Sequence, residues 1–241
     1  MARKGLGFYS FGMPVDVRSN PYHPTRDILL LKEPWTPQEV LELAREHPRP
    51  LSQKAVPGTS KHQRLLAAGA EAYQQCPPLE LDASTRTVKQ WCVDHRVLPV
   101  VSLKGMDVAQ VWTDWYEVVH RGWSPTAAHD ELVELFTDLV DEIDPARSCA
   151  CLVQGELVAV AFCFSGDTPP EILTEAVLPG HPNARDAVAS CMATVLSGFD
   201  QVVRFDGHVS DPHFAPLWSS VPGVYAGQDD PLDLLEIRPG H

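Results

Sequence analysis

Imidazole and carboxylate groups concentrate in one short stretch near the C-terminus: Asp206, His208, Asp211 and His213. These are the usual nitrogen and oxygen ligands of a transition metal. Their spacing fits no standard ligand pattern and Pro212 interrupts it, so no metal is expected there. In an extended segment side chains alternate, which puts Asp206 and His208 on one face. A histidine has an unperturbed pKa suited to proton transfer near neutrality, and burial can tune a carboxylate upward. The plain alternative is a loop holding a satisfied histidine. A second group, Asp130, Glu131, Glu134, Asp138, Asp141, Glu142 and Asp144, lies in a helical stretch that holds no Lys or Arg. Mostly this is a solvated face, although it suits a cationic partner. Gly-x-Ser-x-Gly, phosphate-loop lysine and dinucleotide motifs are all missing.

The bulk composition narrows the setting. The 241 residues include 32 acidic and 19 basic ones, for a net charge of -13. That excess argues against nucleic acid or an anionic membrane as the main partner. No apolar run approaches a membrane span, and residues 1–13 lack the continuous apolar core of a signal peptide. Cysteines stand at 76, 92, 149, 151, 163 and 191, without a metal-type C-x-x-C pair. They read as buried free thiols, and the expected location is cytoplasmic.

The elements that position these groups are short, because 22 prolines punctuate the chain. Residues 1–24 read as irregular. Strands are expected at 28–31, 53–56 and 79–81, with helices at 36–46 and 60–73. Thr36-Pro37-Gln38-Glu39 carries a capping threonine and a proline at the first helical position. Residues 91–96 read as a connector. From Leu98 the order is strand (98–103), helix (107–121), helix (124–144), hairpin (148–153 and 156–165), strand (171–178), helix (183–196), strand (201–205), short helix (212–219) and strand (232–237). The apolar residues of the 107–121 helix fall on one face at helical spacing.

This order resembles the GNAT superfamily of N-acyltransferases. The hairpin from Ala150 to Ala161, with its Gly155-Glu156-Leu157-Val158 turn, looks like the family's second and third strands. Asp211, Trp218 and Gly223 are similar to the family's pattern after its fifth strand. The resemblance runs from residue 98 to 241. It implies an α/β (α+β) domain with a mixed, mostly antiparallel central sheet flanked by helices; residues 1–97 ahead of it read, from their own elements, as an N-terminal αβ half-domain. It also implies that the family's acyl-CoA diphosphate sits after Val177 on a helix N-terminus, whose free N–H groups and dipole favour phosphate. The residues there are Asn183, Ala184, Arg185, Asp186 and Ala187. Where the family shows a basic or amide residue, then glycine, then glycine or alanine, this chain has Pro182, Arg185 and Ala187. The central glycine is missing; Arg185 can contact phosphate, and Asp186 opposes it.

The resemblance further implies a base on the fourth or fifth strand, and the candidates are Glu175, Asp206 and His208. Trp218 replaces the family's usual tyrosine acid. The implied activity is direct transfer of an acetyl group from acetyl-CoA, as co-substrate, to a small-molecule amine, without a metal. The alternatives are a carrier- or tRNA-bound donor, the latter needing a basic patch for nucleic acid, and a non-catalytic GNAT-like partner protein. A homodimer stays open. Residues 66–81 and 221–236 follow one pattern of helix end, glycine, glutamine, proline and a Leu-acid-Leu strand. Residues 25–83 are accordingly expected to be a degenerate half-copy of the C-terminal domain, with the same strand order and direction.

Overall fold

The computed structural model describes residues 14–77, 79–164, 166, 168–223, 225–226 and 231–240. The chain divides into two compact units, residues 1–73 with 234–241, and residues 74–233. The division differs from the sequence boundary at 97/98 because the strand 79–82 and the helix 86–95 share the core of the second unit.

The first unit begins with β1 (Val15–Ser19), antiparallel to β2 (Asp27–Leu31). Helix α1 (Pro37–Glu46) then crosses to β3 (Leu51–Ala55), which runs parallel to β2. After α2 (Ser60–Ala67), strand β4 (Glu71–Cys76) follows. A strand from the far end of the chain, β12 (Leu232–Ile237), completes the sheet in the order β1-β2-β3-β12-β4. Leu29, Trp35, Val40, Leu51, Leu65 and Leu235 form its core.

The second unit begins with β5 (Leu79–Asp82) and α3 (Arg86–His95). Next come β6 (Val100–Ser102), α4 (Val108–His120), α5 (His129–Thr137), β7 (Cys149–Val153), β8 (Glu156–Phe164) and β9 (Glu171–Ala176). Helix α6 (Ala184–Ser197), β10 (Val202–Asp206), α7 (Phe214–Trp218) and β11 (Tyr225–Ala226) complete it. The sheet order is β11-β5-β10-β9-β8-β7-β6. All its determined pairings are antiparallel except β9 with β10, which are parallel and joined by α6. Helix α6 packs on β7, β8, β9 and α3, and its buried Ala187, Val188, Cys191, Met192 and Val195 enter the core. The fold is thus mixed α/β, with two mostly antiparallel sheets flanked by helices.

The two units share a plan. Each has an antiparallel pair (β1/β2 and β8/β9), a parallel βαβ crossover (β2-α1-β3 and β9-α6-β10), a helix and a further strand. In each sheet the strand beside the crossover's second member comes from elsewhere in the chain: β12 beside β3, and β5 beside β10. Each αβ run therefore ends in a strand that pairs within the other sheet.

Four local expectations are corrected. Residues 15–19 are a strand, not irregular. Helix α2 stops at Ala67 because Gly69 takes φ +84, and residues 71–76 then extend as β4 against β12 rather than continuing the helix. Their Glu-Ala-Tyr-Gln-Gln-Cys sequence has no strong strand propensity, so pairing overrides it. Residues 91–96 are not a connector: they end α3, which Thr85 caps and whose Val88, Trp91 and Cys92 are buried at helical spacing. The helix expected at 124–144 is α5 alone, followed by a 3-10 turn at Val140–Glu142. Its acids Asp130, Glu131, Glu134, Asp138, Asp141 and Glu142 are exposed.

Candidate active site

Strands β9 and β10 pair only over Glu171–Leu173 and Arg204–Asp206. Beyond this, β9 continues to Ala176 along β8 while β10 ends. The segment 207–213 bridges the gap, leaving the tip of β10 and arriving at Glu175 of β9 through His213. Glycine at 207 is required by this path, because an added Cβ would lie 2.7 Å from the Phe214 ring and 3.2 Å from Asp211 Oδ2.

Glu175 does not face solvent; it is 1% exposed. Its Oε1 accepts from the Ala176 N–H at 2.7 Å and meets His213 Nδ1 at 2.7 Å. Its Oε2 accepts the backbone N–H groups of His213 at 3.0 Å and Phe214 at 2.9 Å. The carboxylate therefore closes the start of α7 and fixes the His213 ring. With Nδ1 donating to the carboxylate, Nε2 is left as an acceptor. His213 was legible in the sequence only as part of the metal-like cluster. The missing signal was spatial: a carboxylate late in β9 reaches the residue just before a helix 38 positions later.

His208 belongs to a different pair. Asp211, itself 5% exposed, accepts the His208 backbone N–H at 2.7 Å, and its Oδ1 lies 3.5 Å from the His208 Nδ1. Burial lowers the His208 pKa, but Asp211 and the Cys76 thiol outweigh it and raise the ring to about 9. Trp123 and His120 pack on the His208 ring, at 4.7 and 5.5 Å between centroids. Asp206 is exposed, and its side chain has neither hydrogen bond nor ion pair among the described residues. The structure thus puts the three expected base residues in three settings: Glu175 with His213, His208 with Asp211, and Asp206 with a bare side chain. Trp218 does not enter the gap; it is buried against Phe205 and Phe214.

The expected phosphate segment follows β9 directly. Val177 and Leu178 both donate to the Val158 carbonyl, at 2.8 and 3.1 Å, which bulges the strand end. The chain then turns through residues 178–183, and Ala184 N–H donates to the His181 carbonyl at 2.9 Å. Asn183 occupies the cap position without a side-chain cap bond. The Arg185 and Asp186 N–H groups, in the first turn, consequently have no intrahelical acceptor. Ala184 and Ala187 are buried, while Arg185 and Asp186 are exposed. The Arg185 side chain makes no hydrogen bond or ion pair among the described residues. Such a terminus can receive an anion, with Arg185 adding charge and Asp186 subtracting it.

No helix among the described residues is long and apolar enough to cross a membrane. No protein-family model matches the chain, and no curated protein matches it. Solved structures do. A GCN5-related N-acetyltransferase from Sphaerobacter thermophilus aligns with TM-score 0.59 at 12% identity, over 94% of this chain and 77% of that one. A tandem GNAT protein from the clavulanic acid biosynthesis pathway aligns with TM-score 0.51 at 14% identity, over 90% and 76%. A functionally unknown protein from Staphylococcus epidermidis aligns with TM-score 0.51 at 11% identity, over 79% and 73%. With its parallel crossover, its partly separated β9 and β10 and these neighbours, the chain has the fold of the GCN5-related N-acetyltransferases.

Proposed function

We propose that this protein is an N-acyltransferase that moves an acetyl group from acetyl-CoA to the amine of a small molecule. The observation that carries this reading is the Glu175–His213 pair in the gap between β9 and β10. The open start of α6 lies one short loop further along the same strand. The diphosphate rests on the Arg185 and Asp186 N–H groups and the Arg185 side chain, with Val177, Asn183, Ala184 and Ala187 shaping the turn. The unpaired edge of β9 beyond Leu173 suits the amide groups of the pantetheine arm. His213 Nε2 takes the proton of the attacking ammonium, and Glu175 stabilises the imidazolium that results. The amine nitrogen attacks the thioester carbonyl directly, and the CoA thiolate leaves without needing strong protonation. A thiolate leaving group makes the buried position of Trp218 tolerable.

The two αβ runs, with their shared strand plan, are read as a duplicated half-domain, in keeping with a tandem GNAT protein among the structural neighbours. A second reading, a GNAT-shaped partner protein or one using a carrier- or tRNA-bound donor, is favoured by one feature, the Asp186 carboxylate beside the proposed phosphate position. Thermal unfolding with acetyl-CoA separates the two. A ligand at about a hundred times its Kd adds roughly 2.7 kcal/mol. A clear rise in Tm with acetyl-CoA supports the transferase, and no rise at millimolar acetyl-CoA rejects it.

A further inference from the structure

The pair His208–Asp211 is not used by the mechanism above, and a cysteine stands opposite it. Two bonds fix this placement. Gln74 Nε2 donates to Ser210 Oγ at 2.6 Å, and the Val209 N–H donates to the Gln75 carbonyl at 3.2 Å. The two segments therefore run antiparallel with 74 against 210 and 75 against 209, which sets Cys76 against His208. The Cys76 thiol is among the groups that raise the His208 pKa, as this placement requires. Behind the ring, Asp211 accepts the His208 backbone N–H at 2.7 Å, and its other oxygen lies at ion-pair distance, 3.5 Å, from Nδ1. The other cysteines are placed for packing. Cys92, Cys149, Cys151, Cys163 and Cys191 are buried, and burial pushes Cys92 and Cys163 up to about 11. Cys76 alone is partly accessible.

We infer that Cys76 is a nucleophile, with His208 as its proton carrier and Asp211 as the positioning residue, and that it accepts an acyl group from a thioester. A thiol beside an imidazole that is itself oriented by a carboxylate is the arrangement that activates cysteine for acyl transfer. His208 lies two residues beyond the tip of β10, on the segment that also delivers His213 to Glu175, so one segment links the thiol's partner to the proposed acyl site. Cys76 Sγ attacks the thioester carbonyl carbon. A new C–S bond forms and the bond to the CoA sulfur breaks; His208, protonated at neutral pH, gives its proton to the departing sulfur and takes up the thiol proton in its place. An amine can then attack the acyl-Cys76 carbonyl; the C–N bond forms, the C–S bond breaks, and the amine proton returns to Cys76 through His208. This two-step route runs alongside direct transfer and rests on the acyltransferase reading only for its natural donor.

The test uses the full chain with p-nitrophenyl acetate, an acyl donor that needs no CoA site, and separately with acetyl-CoA. Stopped-flow absorbance follows p-nitrophenolate release, and peptide mass mapping locates the acetyl group. The expected result is a burst of one equivalent with acetyl on Cys76. C76A abolishes the burst, H208Q slows it by roughly 10²-fold, as for loss of a positioned proton-transfer group, and D211N keeps its amplitude while lowering its rate. No acetyl on Cys76 from the aryl ester, or an unchanged burst rate in H208Q, overturns the inference. Labelling by the aryl ester but not by acetyl-CoA upholds the nucleophile and removes the CoA reading. Amine acetylation by acetyl-CoA at an unchanged rate in C76A, with no adduct in the wild type, upholds the CoA reading and overturns the two-step route.

Discussion

Helices α1 and α6 hold the same topological place, each crossing between two parallel strands, yet their first turns are opposite in kind. The start of α1 is closed by its own sequence. Thr36 Oγ1 accepts the Glu39 N–H at 3.2 Å, Glu39 Oε2 accepts the Thr36 N–H at 2.7 Å, and Pro37 has no N–H at all. A carboxylate also sits where an incoming phosphate would approach. The start of α6 has a non-capping Asn183 and a cation, Arg185, with no partner among the described residues. A shared plan therefore does not imply a shared ligand. The capping box makes the first helix self-sufficient, and the second leaves its donors for something else. The contrast predicts one acyl-CoA per chain, seated on the second unit.

The largest expected effect tests whether chemistry follows the same division. His213→Gln should lower kcat by about 10²–10⁴-fold with little change in CoA affinity, because it removes the base and keeps the ring's volume roughly in place. Steady-state kinetics with a competent amine measures this, and a near-normal kcat would move the base elsewhere. Arg185→Ala comes next. Its loss of a charged contact to phosphate should weaken CoA binding about tenfold. Calorimetric titration should give one site in the wild type; two sites per chain would break the comparison outright.

A third test uses pH. His208 has its folded pKa raised to about 9, from an unfolded value near 6.5. A raised pKa means the native state holds the proton more tightly. This contribution to stability is fully present below pH 6.5 and is lost as pH climbs through 9. Its size should be on the order of 1–3 kcal/mol, read as a falling denaturation midpoint from pH 6.5 to 9.5 that is flattened in H208Q. The smallest effect belongs to the closed helix. Thr36→Ala should cost about 1 kcal/mol of stability, the usual worth of an N-cap, and leave CoA affinity unchanged. A drop in CoA affinity there would mean that α1, too, serves the ligand.

The sequence by itself determined much of the local structure. Thr36-Pro37-Gln38-Glu39 specified α1 because cap, proline and acid satisfy its first turn without outside help. Helical spacing specified α4, and the Gln154-Gly155 turn specified the β7/β8 hairpin, with both residues at positive φ. The order of elements along the chain from β6 to α7 was legible because each carried its own period and stop. Long-range pairing was not. Residues 71–76 have the composition of a helix end and became a strand because β12 lies beside them. The destinations of β5 and β12 in their sheets depend on partners more than a hundred residues away, and nothing local encodes them. The site followed the same rule. Sequence could nominate Glu175, His208 and His213 as titratable groups. Only the tertiary structure decided that Glu175 grips His213 while His208 turns to Asp211 and Cys76. A side chain's chemical role is set by which buried partner satisfies it, and that partner is chosen by packing between segments remote in the chain.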